Sequence, residues 1–75
     1  MYMTYKRIRD LREDSDLTQQ QMADKLFINR RTYSSYEVGS RSIPIEILSK
    51  IADIYETSID YLVGRTDEKK PYPKN

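Results

Sequence analysis

The run 28-INRRTYSSYE-37 sets Arg30 and Arg31 side by side, Ser34 and Ser35 a helical turn further on, and Tyr33 and Tyr36 three apart. A guanidinium is a planar fork of donors that fits two acceptors at once, such as O6 and N7 of guanine or two phosphate oxygens. Serine is short enough for a backbone to come close while its hydroxyl still bonds a base or a phosphate. The chain contains no histidine and no cysteine. Disulfides, thiolate or imidazole metal sites and the usual nucleophile and base pairs are therefore excluded together. Glu13, Asp14 and Asp16 cluster, but no further ligand stands at a suitable spacing, and they read as solvated carboxylates. No enzymatic activity is expected, and no metal or other cofactor.

Five short helices can position these groups. Tyr5, Ile8 and Leu11 recur three apart over residues 4–14, the pattern of a first helix that Ser15 and Asp16 break. Thr18 followed at the third position by Gln21 is a capping box, and Leu17 can close over Met22 as its hydrophobic staple. A second helix is therefore expected from Thr18 to about Phe27, burying Met22, Ala23 and Leu26. Asn29 can cap a third, with Ile28 and Tyr33 in the staple positions, and Gly39 supplies the left-handed residue that stops it. Pro44 fits the first turn of a fourth, in which Leu48, Ile51, Ala52 and Tyr55 form the apolar stripe. Ser58 caps a fifth that contains Ile59 and Leu62 and ends at Gly64. No strand pattern or internal repeat competes with this all-α reading.

Tyr33, Tyr36, Tyr55 and Tyr61 are expected at the core or its edge, their hydroxyls reaching water. Ile47 and Ile54 lie off the stripe of the fourth helix, which implies either a wide core face or an apolar edge offered to a partner.

Seventy-five residues suffice for one domain, which buries only about 60% of its unfolded surface. The division expected is a folded domain over 1–64 and a flexible C-terminal tail over 65–75, where RTDEKKPYPKN has charges and two prolines but no apolar periodicity. No apolar run reaches the ~20 residues of a membrane span, and the start lacks the apolar core of a signal peptide. A cytoplasmic location is expected. The net charge is only +1, but it is unevenly spread. Residues 17–43 carry Lys25, Arg30, Arg31 and Arg41 against Asp24 and Glu37, whereas residues 44–62 carry Lys50 against Glu46, Asp53, Glu56 and Asp60. The basic excess coincides with the second and third helices.

Two helices joined by a tight turn, with arginines at the front of the second, form a helix-turn-helix, whose second helix can lie in the DNA major groove. The stretch LTQQQMADKLFINRRTYSSYEVGSR resembles the core of the Cro/repressor-like, or XRE, family of regulators. Members show L-T-Q-x-x-L-A, then S-x-x-T-I-S-x-W-E and a glycine. The counterparts here are Leu17-Thr18-Gln19, Met22-Ala23, Thr32-Tyr33-Ser34-Ser35-Tyr36-Glu37 and Gly39. The likeness continues through IPIEILSKIADIYETSIDYLVG and so covers about residues 5–64.

The resemblance implies a five-helix, lambda-repressor-like domain that binds operator DNA, usually as a dimer on an inverted repeat, in a bacterial or phage-encoded, nucleoid-associated regulator. By position it implies that Thr18 and Gln19 approach a phosphate, with Gln19 bracing the recognition helix. Asn29, Arg30, Arg31, Ser34 and Ser35 would face the groove, and Ser40 and Arg41 would reach the flanking backbone. Arg12 would pair with Glu37. Phe27 stands where the family very often has glycine, which puts a shift of the turn in prospect. The alternative is a helix-turn-helix scaffold that binds another protein, as an antitoxin-like or anti-repressor partner would.

Overall fold

The computed structural model describes residues 5–70. Five helices follow in order, α1 (Lys6–Asp14), α2 (Gln19–Leu26), α3 (Arg30–Val38), α4 (Ile45–Ile54) and α5 (Ile59–Leu62), with no strand among the described residues. None of these helices is long and apolar enough to cross a membrane. α1 starts at Lys6, with Tyr5 at its N-cap and no side-chain cap. Pro44 stands at the N-cap of α4, one residue ahead of the first turn expected for it.

Three helix starts are fixed by side chains. The Thr18 hydroxyl accepts from the Gln21 backbone N–H at 3.0 Å, and the Gln21 amide oxygen accepts from the Thr18 N–H at 2.8 Å, a complete capping box. Asn29 Oδ1 accepts from the Thr32 N–H at 2.7 Å to open α3, and Ser58 Oγ accepts from the Tyr61 N–H at 3.0 Å to open α5. Each satisfies a backbone donor that the helix itself cannot, at a worth of about 1 kcal/mol.

The helix ends share one device. After each helix a residue takes positive φ, in turn Asp16, Phe27, Gly39, Glu56 and Gly64. The residue after it donates its N–H five positions back: Leu17 to Arg12, Ile28 to Ala23, Ser40 to Ser35, Thr57 to Ala52 and Arg65 to Asp60. This closure is the Schellman motif, and only two of its five left-handed positions are glycine. Phe27 therefore does not displace the turn between α2 and α3. Its backbone adopts φ 58 and ψ 40, the glycine-like conformation, and its side chain points into solvent, 89% exposed.

The core is assembled from Ile8 and Leu11 of α1, Met22, Ala23 and Leu26 of α2, Tyr33 and Tyr36 of α3, Leu48, Ile51 and Ala52 of α4, and Leu62 of α5. Tyr33, Met22, Leu26, Ile51 and Leu62 are its largest fully buried side chains, and the last four each stabilise the fold by roughly 1.5–3 kcal/mol through the apolar surface removed from water. Ile47 and Ile54 are partly buried and pack against this cluster, so the apolar face of α4 is wide. The Tyr55 hydroxyl donates to Met22 Sδ at 3.4 Å. The Tyr33 hydroxyl is buried close to the Glu37 carboxylate, against the expectation that it reaches water, because Tyr33 lies entirely beneath the surface.

Residues 65–70, expected as the start of a tail, run back over the domain. Arg7 of α1 donates to the carbonyls of Tyr61 (2.8 Å) and Thr66, and pairs with Asp67 at 2.6 Å. Its guanidinium also lies over the Tyr61 ring, 4.1 Å from the centroid. Thr57 Oγ1 donates to the Lys69 carbonyl at 2.6 Å.

Candidate nucleic-acid interface

The C-terminal Gly39 and the Asn29 cap confine α3 to nine residues. Tyr33 and Tyr36 turn inward and hold the helix to the core, which leaves the opposite face to Arg30, Arg31, Ser34 and Ser35. These four, with Val38 and Ser40, line a shallow recess of about 270 Å³ on the outer side of α3. A second hollow, of about 330 Å³, lies between α1 and α5 around the Arg7 clasp, lined by Tyr5, Lys6 and Asp10 and by Leu62 to Gly64. In the second hollow Arg7 is already paired and Asp10 lies alongside, whereas the first sets two arginines and two serines on one helix with no carboxylate in its lining.

Arg30 and Arg31 are exposed. Among the described residues the ion pairs engage Arg7, Arg9 and Arg12 and leave Arg30, Arg31 and Arg41 outside any pair. Arginine forks turned to solvent with no carboxylate to neutralise them are available to an anionic or acceptor-rich surface. The Ser35 hydroxyl donates to the Thr32 carbonyl at 2.6 Å, so its proton is engaged and its lone pairs are what it presents. Ser40 Oγ makes a long bond to the Ser35 carbonyl, 3.4 Å. Arg41 is exposed in the connection after α3, outside the recess. Thr18, Gln19 and Asn29 also lie outside it: Thr18 and Asn29 cap α2 and α3, and Gln19 is turned toward α3.

A carboxylate ties α1 and α2 to the end of α3. Glu37, in the last turn of α3, receives Arg12 Nε at 2.7 Å on Oε2 and Arg12 Nη2 at 3.2 Å on Oε1, while Gln19 Nε2 donates to Oε1 at 3.1 Å. Arg12 also donates to the Leu17 carbonyl at 2.9 Å, which ties down the turn before α2. Three helices thus meet at one side chain. Burial by itself would push the Glu37 carboxyl up, but the hydrogen bonds and charge it receives, Arg12's foremost, outweigh this and hold it below its ordinary value. The Arg12 guanidinium is correspondingly raised, first by its hydrogen bond to Glu37. Burial, reinforced by the nearby Glu37 charge, pushes the Tyr33 phenol far up, so it stays neutral.

Val38 belongs to the recess but was not among the residues singled out from sequence. Its only signal was position, four residues after Ser34 and seven after Arg31, which puts all three on one face.

The helix-turn-helix family model matches residues 8–62. The chain is similar to an uncharacterised HTH-type transcriptional regulator of Bacillus subtilis, YobD, at 38% identity over 92% of this chain and 62% of that protein. It is 36% identical to the HTH-type transcriptional regulator AnsR of the same organism, over 96% of this chain and 62% of AnsR. It is 35% identical to the cryptic phage CTXphi transcriptional repressor RstR of Vibrio cholerae, over 87% of this chain and 59% of RstR. The chain spans about three-fifths of the length of these relatives. No solved structure matches it.

Proposed function

The chain belongs to the XRE-type helix-turn-helix family, and from that premise we propose that it is a sequence-specific double-stranded DNA-binding transcriptional regulator, a repressor that occupies an inverted-repeat operator as a dimer. The observation that carries this reading is the outer face of α3, where Arg30 and Arg31 stand exposed beside Ser34 and Ser35 and, among the described residues, outside any ion pair. α3 enters the major groove with its N-terminal turn, and the two guanidinium forks address base edges there. Gln19 spends one amide proton on Glu37 and has a second for a phosphate. Thr18 and Asn29, at the starts of α2 and α3, come close to the same backbone, and Ser40 and Arg41 contact it on the other flank.

A domain this small contacts too few phosphates for tight binding alone, which favours two half-sites with centres about 10–10.5 base pairs apart, or a multiple of that. Selection from a pool of random duplexes tests the reading in one step. An enriched motif with two-fold symmetry is the expected result. Failure to enrich any motif would sink it and favour the second reading, a scaffold that binds another protein. One observation leans that way: the Phe27 ring is largely exposed, with the Lys50 ammonium 5.8 Å from its centroid.

A further inference from the structure

Val38 is the last residue of α3 and is 60% exposed, a bare isopropyl group in a recess otherwise lined by arginines and serines. Folding does not account for it. The core excludes it, and a β-branched residue at an exposed helix position slightly lowers helix stability. What remains is the surface it faces. In the major groove one base edge alone presents an apolar group, the C5-methyl of thymine, and apolar side chains are what meet it.

Building on the DNA-binding reading above, we propose that Val38 is a specificity-determining residue that reads a thymine methyl in each half-site. The spacing sets where. Val38 lies seven residues beyond Arg31, about 10 Å along the helix axis, too far for the two side chains to meet the same base pair. The arginines at the front of α3 and the valine at its end therefore address different base pairs of one half-site, polar readout at one and apolar readout at the other.

The test uses the duplex recovered by random selection, with each thymine replaced in turn by deoxyuridine, which removes the methyl group and nothing else. For the unmodified protein, one such replacement per half-site is expected to weaken binding about fourfold, the worth of one buried methyl. Val38→Ala, which removes the contact in both half-sites of the dimer at once, should weaken binding to the thymine duplex by the square of that factor, roughly 15-fold, and become indifferent to that same replacement. Val38→Thr, which keeps one methyl, should retain part of the discrimination. Circular dichroism of the variants controls for folding. If the protein binds its duplex but Val38→Ala leaves the response to every deoxyuridine unchanged, the inference falls and the DNA-binding reading stands. If no duplex is bound, both fall.

Discussion

The Arg12 guanidinium meets the Glu37 carboxylate along two parallel lines, Nε to Oε2 at 2.7 Å and Nη2 to Oε1 at 3.2 Å. The two side chains are only 12% and 4% exposed, so neither can recover water cheaply if its partner is removed. Glu37→Ala should destabilise the domain by about 3 kcal/mol, a large share of what so small a fold has. The Arg12→Ala, Glu37→Ala double variant should lose clearly less than the two single losses added. Thermal melts of all three decide it, since additive losses below a kilocalorie would place the pair with ordinary surface contacts.

Acid should act through the same carboxylate. Glu37 has its folded-state pKa held below its ordinary 4.5, so the unfolded chain takes up that proton first. The stability it contributes is present in full above pH 4.5 and is lost as pH falls through the folded-state value. Denaturant unfolding from about pH 7 down to about pH 2 should show a steeper acid loss for the parent than for Glu37→Gln. Parallel curves would assign the acid sensitivity to other carboxylates.

Phe27 sits in a left-handed conformation that costs a non-glycine residue roughly 1–2 kcal/mol, and its exposed ring returns little. Phe27→Gly should therefore stabilise the domain by roughly 0.5–1 kcal/mol after glycine's greater freedom in the unfolded chain is subtracted. The melting midpoint should rise by about 4 °C. Phe27→Ala, which removes the ring but keeps the strained backbone, should show no such gain; an equal gain from both would mean that the ring, not the dihedral angle, is the burden.

Thr18 supplies a complete cap to α2, and Thr18→Ala should cost about 1 kcal/mol. DNA affinity should fall as well, because the cap orients the helix end that the proposed docking brings to the phosphates. An unchanged melting curve would show that the backbone donors of that turn find water equally well.

Arg30 and Arg31 should differ from Arg41 in kind. Replacing either of the first two with alanine should cost ~1–3 kcal/mol on the preferred operator and relax the base choice at one position per half-site. Arg41→Ala should weaken all duplexes alike and flatten the log-affinity against log-salt slope by about 0.9 for each phosphate left without its cation. Titrations on operator and scrambled DNA at several salt concentrations separate the two behaviours. Equal losses on both sequences for Arg30→Ala would make it a backbone anchor.

The helix starts were legible because their signals are local. Thr18 with Gln21, Asn29 and Ser58 each satisfy a backbone donor three residues away, and the rule needs no knowledge of the rest of the fold. Helix ends were half legible. Gly39 and Gly64 announced theirs, whereas Asp16, Phe27 and Glu56 adopt the same left-handed geometry without glycine. The reason lies one residue on: Leu17 and Ile28 pack against the core and Thr57 is buried, so tertiary burial pulls the backbone into a conformation its own residue disfavours. The outer face of α3 could be read from spacing, since inward Tyr33 and Tyr36 leave Arg30, Arg31, Ser34 and Ser35 outside. The Gln19 bond to Glu37 spans 18 residues, and nothing local to either residue announces it. Arg7 was illegible for a similar reason: two of its acceptors are main-chain carbonyls, 54 and 59 positions away, and a carbonyl leaves no mark in a sequence.

That clasp has a topological consequence. By holding the front of α1 against Tyr61, Thr66 and Asp67, Arg7 brings the beginning and the end of the folded region side by side, so the path of the backbone nearly closes into a ring. A ring has no privileged opening. With a short peptide bridging the two ends of the folded region and a new break at the exposed pair Arg41 and Ser42, which lie outside every helix, the five helices should still assemble. The order in which the five helices are written along the gene is in this sense separable from the arrangement they make in space.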